Sequence, residues 1–192
     1  MPRLVAEPDL PILDFDIETR LVGFYEAGRF KPKGSEPTAI AASFVGSDEV
    51  FVWTQPEYSV DEMLGHFGEL YEQAGAVTGH YIRKFDLPIL QGALFEHGLP
   101  LLDPLMLVQD TKVDLKPFEG VSKSQENLSE MLHVFEQKHH MNDARWRPAT
   151  RLTPEGVRET KIRVTGDVQQ HKALRRALLE AGALNPPTLW KP

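Results

Sequence analysis

The sequence contains no cysteine among its 192 residues. This excludes disulfide bonds, zinc sites built on thiolates and cysteine nucleophiles, so a bound metal would need oxygen or imidazole ligands. The chain also lacks a run of about 18 apolar residues and a basic-then-apolar leader at Met1. We therefore expect a cytoplasmic protein without a membrane partner, in which any metal is a hard cation such as Mg²⁺ or Mn²⁺.

Basic side chains are scarce in the first part of the chain. Residues 1–137 contain 10 Lys and Arg against 23 Asp and Glu, whereas residues 138–176 contain 10 against 4. The net charge of −7 argues against nucleic-acid binding over the whole surface. The basic stretch nevertheless favours a local phosphate-binding surface, although a solvated helix face explains such a stretch equally well.

The fold class is predicted from alternating strand and helix patterns. With 41% apolar residues, a chain of this length can bury one sizeable core, so we expect a single domain over 1–192 with its core at about 11–182. The pattern predicts an α/β fold with a mixed sheet flanked by helices. Strands are predicted at 11–18, 38–45, 49–53 and 76–81, and helices at 59–75, 86–97, 124–134 and 155–180. Residues 103–150 are predicted to be a loop-rich excursion, and 183–192 an extended tail.

The first predicted strand carries two carboxylates that point the same way. Side chains alternate along a strand, so Asp16 and Glu18 share one face with Asp14. Carboxylates about 7 Å apart on one face repel each other, and a divalent cation relieves that repulsion. An exposed edge strand whose polar face meets water is the alternative, so the triplet alone is a weak signal.

Two further aspartates stand out by their place in the predicted helices. Asp86 lies at a helix start, where capping the helix is the simpler explanation. Asp167 falls on the inward arc of the last helix, together with His171 and apolar residues such as Val164. A charge there is costly unless it is paired or metal-bound. Pairing with an arginine, Arg163 or Arg175, is the alternative for Asp167.

Together these residues resemble the DEDD, or DnaQ-like, superfamily of 3'→5' exonucleases. The matching segments are FDIET at 15–19, GHYIRKFDLPIL at 79–90 and GDVQQHKAL at 166–174. The resemblance covers roughly residues 11–180 and implies a fold similar to ribonuclease H. It also implies four catalytic metal ligands that hold two Mg²⁺ or Mn²⁺ ions: Asp16, Glu18, Asp86 and Asp167.

Two positions depart from the family pattern. Tyr81 stands where the second motif usually has an asparagine, and Arg163 stands where the third motif can have a tyrosine that activates water. Arginine cannot act as a base at neutral pH. His171, one helical turn after Asp167, is the preferred substitute, and a hydrogen-bonded core histidine is the alternative. The next candidates are His139 and His140.

The resemblance implies a small stand-alone, bacteriophage-type enzyme, which would act in the host cytoplasm. Its substrate would be the 3' end of single-stranded or frayed DNA, its role proofreading or trimming in replication and repair, and a DNA polymerase is a candidate partner. Alternatives are an exoribonuclease of the same superfamily and a non-catalytic nucleic-acid-binding or polymerase-docking module. Candidate nucleic-acid contacts are Tyr81, Arg145, Trp146, Arg147 and Arg163.

Overall fold

The computed structural model describes residues 11–134 and 139–191. In this part of the chain a mixed sheet has the strand order β3-β2-β1-β4-β5-β6. The strands are β1 (Ile12–Glu26), β2 (Arg29–Phe44), β3 (Phe51–Thr54), β4 (Ala76–Gly79), β5 (Leu107–Asp110) and β6 (Thr188–Leu189). The helices are α1 (Val60–Gln73), α2 (Asp86–Glu96), α3 (Gln125–Met131), α4 (Asp143–Thr150) and α5 (Pro154–Glu180). The predicted α/β class, with a mixed sheet flanked by helices as in ribonuclease H-like folds, is confirmed.

The first three strands form an antiparallel meander, and β1 then pairs in parallel with β4. This parallel pairing is short and covers only Ile12 to Asp14. Past Asp14, the edge of β1 that faces β4 is therefore open to side chains from elsewhere in the chain. That open edge is where the candidate site lies.

The main core lies between the sheet and the helices α1 and α2. Leu13, Phe15 and Ile17 of β1 are buried there, as the alternating pattern predicts, and they pack in one cluster with Phe67 of α1 and Leu90 of α2. Helix α1 begins with a capping box in which the Ser59 hydroxyl and the Glu62 carboxylate each accept a backbone N–H. Because the apolar face of β1 is buried in this core, its polar face is turned toward α5.

Helix α5 packs on the opposite face of the sheet. Val164 and Val168 contact Ala39 and Ala41 of β2, and all four side chains are buried. These small alanines leave room for the valines to pack directly on the sheet, and polar side chains of α5 reach β1. Gly166 lies inside this 27-residue helix and does not interrupt it.

β1 and β2 continue beyond the sheet as a two-stranded ribbon. The strands pair as far as Glu26 and Arg29, and Ala27 and Gly28 form a two-residue turn with φ of 49° and 75°. The register shifts between Glu18 and Thr19, so the regular alternation of faces ends where the ribbon leaves the sheet. The sequence predicted neither the ribbon nor its turn.

The segments predicted to be loop and tail contain regular structure. Strand β5 and helix α4 lie within residues 103–150, where the sequence predicted a loop-rich excursion. The tail supplies β6, which pairs with β5, and it buries Trp190 in the main core. Residues 1–10, for which no leader was predicted, and 135–138 lie outside the described residues. Among the helices that the structure describes, none is long and apolar enough to cross a bilayer.

Candidate metal centre

Helix α5 runs antiparallel to β1, and their polar side chains meet at three levels. Two residues along a strand span about 6.6 Å and four residues along a helix about 6 Å, so the two repeats nearly coincide. The levels are Asp14 with His171 (Nδ1–Oδ2 2.7 Å), Asp16 with Asp167, and Glu18 with Arg163 (Nε–Oε1 2.5 Å). The outer levels each join an acid to a nitrogen group, whereas the middle level joins two acids.

The middle level is the centre of a carboxylate cluster. One oxygen from each of Asp16, Glu18 and Asp167 lies within 4.8 Å of the other two. Asp167 is buried, and Asp16 and Glu18 are partly exposed, so the cluster opens to solvent on one side. Opposite oxygen ligands of one octahedral Mg²⁺ are about 4 Å apart, and an all-oxygen donor set is the one that this ion prefers. The three residues therefore fit a divalent cation.

Asp86 is buried beside this cluster and anchors β1. It is the first residue of α2, yet its side chain does not cap that helix. Instead Oδ1 accepts a hydrogen bond from the Ile17 backbone N–H at 3.2 Å, on the edge of β1 that β4 leaves open. Burial raises the pKa of Asp86 from 3.8 to about 7, and the negative charges of Asp110 and Glu18 raise it too. The capping explanation for Asp86 is therefore not supported.

The raised pKa of Asp86 predicts a pH-dependent stability of the metal-free protein. Between about pH 4 and 7 folded Asp86 keeps a proton that the unfolded chain has released, so the free energy of unfolding falls as the pH rises through this range. In EDTA, the wild-type protein should lose about 2–3 kcal/mol relative to Asp86→Asn between pH 5 and 8. Urea unfolding of both proteins across this range measures the difference, and parallel pH profiles would contradict it.

Asp110 is a buried carboxylate that the sequence interpretation did not select. It ends β5 with no exposed surface and accepts hydrogen bonds from the backbone of the two loops beside it. The donors are the N–H groups of Tyr81, Arg83, Lys112 and Val113, at 2.9–3.0 Å. Asp110 thereby fixes the turn that leads into Asp86. The available signal was an aspartate one residue after the apolar run LMLV at 105–108.

His171 lies in the core with both ring nitrogens engaged. Its Nδ1 is 2.7 Å from Asp14 Oδ2, and its Nε2 is 2.9 Å from Thr111 Oγ1. The side chains of His171 and Asp14 are almost completely buried. A ring that uses both nitrogens in the core has none available for a water at the carboxylate cluster. The structure thus favours the alternative of a hydrogen-bonded core histidine over a general base.

The next candidates for the base, His139 and His140, follow the undescribed segment 135–138. His139 Nε2 lies 2.7 Å from Glu159 Oε2, and its carbonyl accepts a hydrogen bond from Arg163 Nη1 at 3.1 Å. The His140 carbonyl accepts a hydrogen bond from Arg145. These contacts therefore hold His139 and His140 against α4 and α5. Neither belongs to the carboxylate cluster.

The candidate nucleic-acid contacts divide into two groups. The Arg163 guanidinium lies over the Trp146 ring beside the carboxylates, with its Cζ 5.2 Å from the ring centre. Arg145 and Arg147 are exposed on α4, the helix that also carries Trp146. Tyr81 lies apart from them, in the turn held by Asp110, with Lys112 Nζ 4.1 Å from its ring centre. The basic stretch is therefore brought to the side of the cluster by α4 and α5, whereas Tyr81 belongs to the opposite loop.

Comparison with known proteins supports the fold. No protein-family model and no curated protein sequence matches the chain. Among solved structures, the chain is similar to the family B DNA polymerase from the hyperthermophilic archaeon Pyrobaculum calidifontis, with a TM-score of 0.70 and 19% identity over 90% of this chain. The match covers 25% of that polymerase. The α/β architecture described above is thus one that also occurs within a DNA polymerase.

Proposed function

We propose that the chain is a metal-dependent 3'→5' exonuclease of the DEDD type, acting on the 3' ends of single-stranded or frayed DNA. The observation that carries this proposal is the cluster of Asp16, Glu18 and Asp167, with buried Asp86 beside it. The similarity to a DNA polymerase supports a role on nucleic acid. Proofreading or trimming, with a polymerase as partner, is the corresponding cellular role.

Asp16, Glu18 and Asp167 would hold the first divalent cation, and Asp86 would share in a second. When bound, Mg²⁺ or Mn²⁺ ions activate a water molecule and stabilise the charge that develops on a phosphodiester. The chain's own residues hold the carboxylates in place. Asp86 fixes the Ile17 backbone, and the contact of Asp14 with His171 holds β1 against α5. Arg145 and Arg147 on the exposed face of α4 would follow the strand.

The direct test is a labelled-oligonucleotide assay. DNA and RNA strands labelled at the 5' end are incubated with Mg²⁺, Mn²⁺ or EDTA and resolved on a sequencing gel. A ladder that shortens from the 3' end of DNA only with metal supports the proposal. Preferential shortening of RNA would make the chain an exoribonuclease, and binding without cleavage would make it a non-catalytic module.

Divalent cations should stabilise the folded protein. The clustered carboxylates repel each other without metal, and a ligand that binds only the folded chain raises its stability by mass action. At 100 times the dissociation constant the gain is about 2.7 kcal/mol, so we expect the melting temperature to rise by several degrees in millimolar Mn²⁺. Thermal unfolding with Mn²⁺ and with EDTA measures this rise. Asp16→Asn should show almost none, and an equal rise in this variant would contradict the site.

A further inference from the structure

The guanidinium of Arg163 lies inside the proposed metal site. Its Nε is 2.5 Å from Glu18 Oε1, and its Nη2 is 3.5 Å from Asp167 Oδ2. The arginine side chain is only 16% exposed. It thus contacts two of the three carboxylates that form the cluster, on the α5 turn next to Asp167.

The structure holds Arg163 in this position from the other side as well. Its Nη1 donates to the His139 carbonyl at 3.1 Å, and its Cζ lies over the Trp146 ring, 5.2 Å from the ring centre. Helix α4 supplies this tryptophan and packs very closely on α5. A Cβ at Gly156 would lie 2.2 Å from the carbonyl of Pro148. This close contact between Gly156 and Pro148 fixes the position of α4. Helix α4 in turn fixes the Trp146 ring over which the guanidinium lies.

A divalent cation and this guanidinium require the same oxygens. Arginine keeps its charge at any pH at which a protein is folded, so proton loss cannot remove the competition. Two cations a few ångströms apart repel each other strongly even in a partly solvated site. Metal binding at Glu18 and Asp167 therefore requires that Arg163 withdraw.

We propose that Arg163 is a resident counter-ion that partly neutralises the carboxylates in the metal-free protein and exchanges its place for a divalent cation when a substrate phosphate takes up the guanidinium. Phosphate oxygens accept two parallel hydrogen bonds from a guanidinium, as a carboxylate does. The exchange couples metal affinity to the presence of nucleic acid. This inference rests on the proposed function, since it assigns the regulation of the same site.

The first test measures Mn²⁺ binding by calorimetry and by the electron paramagnetic resonance of free Mn²⁺, without nucleic acid. Arg163→Gln should bind Mn²⁺ about tenfold or more tightly than the wild type, in the range typical of coupling between sites. Arg158→Gln, an exposed arginine on the same helix, is the matched control and should bind like the wild type. Arg163→Lys keeps the charge but lacks the planar guanidinium, so its Mn²⁺ affinity should lie between those of the wild type and Arg163→Gln.

The outcomes separate this inference from the proposed function. Measurable Mn²⁺ binding by the wild type with equal or weaker binding by Arg163→Gln would overturn the inference and leave the metal site standing. An absence of Mn²⁺ binding in both proteins would overturn both. If Arg163→Gln is too unstable to titrate, Arg163→Lys against the wild type decides, and equal affinities overturn the inference.

The second test asks whether an added phosphate raises the Mn²⁺ affinity by taking up the Arg163 guanidinium. Thymidine 5'-monophosphate carries the phosphate of a reaction product and has no phosphodiester to hydrolyse. Its addition should raise the Mn²⁺ affinity of the wild type several-fold more than that of Arg163→Gln, because only the wild type must displace an arginine. Direct contact between Mn²⁺ and the nucleotide contributes equally in both proteins. Equal enhancement in the two would overturn the exchange.

Discussion

Hydrolysis of a 5'-labelled oligonucleotide is expected to fall about a thousandfold or more when Asp16 is replaced by asparagine. Asparagine keeps the shape of the side chain and removes its charge. Metal ions supply several kcal/mol of transition-state stabilisation, and each 1.36 kcal/mol changes the rate tenfold. Asp167→Asn should have the same effect, because Asp167 lies opposite Asp16 in the cluster. Single-turnover rates at saturating Mn²⁺ and saturating protein measure the loss.

A matched control separates loss of the site from a general effect of charge. Asp103 is an exposed acid in the loop before β5, outside the cluster, and Asp103→Asn should hydrolyse like the wild type. Circular dichroism should show Asp16→Asn folded in EDTA, since removing one of several mutually repelling charges does not strain the fold. A wild-type rate in Asp16→Asn would overturn the assignment of the metal centre.

The second large effect concerns stability rather than turnover. The Asp14 side chain has no exposed surface. Replacing His171 by alanine therefore leaves this buried carboxylate without the hydrogen bond from the histidine Nδ1. Breaking a buried pair in this way costs about 3–5 kcal/mol. Urea unfolding should show this loss, while the hydrolysis rate of the molecules that remain folded changes only a few-fold.

The conservative variant tests whether the hydrogen bond carries the effect. The amide nitrogen of asparagine can occupy nearly the place of the histidine Nδ1 that faces Asp14. His171→Asn should therefore recover part of the stability that His171→Ala loses. A fully stable His171→Ala whose single-turnover rate has fallen a hundredfold would return His171 to the role of general base.

Simple periodicities predicted the face on which each half of the carboxylate cluster lies, whereas only the resemblance to the DEDD superfamily implied that the two halves meet. Asp16 and Glu18 follow the two-residue repeat of a strand, and Asp167 follows the helical repeat of α5. The direction of α5 relative to β1 is not contained in either repeat. Because the helix runs antiparallel to the strand, His171 meets Asp14 on one side of the cluster, and Arg163 meets Glu18 on the other.

The missed elements share a different cause. The ribbon beyond Glu18 has polar and apolar side chains exposed together, so it lacks the alternation by which a half-buried strand is recognised. Its turn is Ala27-Gly28, without the asparagine or aspartate that usually precedes glycine in such turns. Strand β5 is four residues long and is recognisable only from its pairing with β4 and β6.

The ribbon also divides the chain into parts of unequal local stability. From Leu13 to Ile17, β1 lies over the main core, whereas beyond the register shift at Glu18 its backbone pairs with β2 alone. A pair of strands without a third is marginally stable in water, so we expect the outer ribbon to open at a lower free energy than the part of β1 over the core. Fraying that starts at Gly28 therefore ends before it reaches the carboxylates. Changes in ribbon length at the Ala27-Gly28 turn are accommodated without moving Asp16.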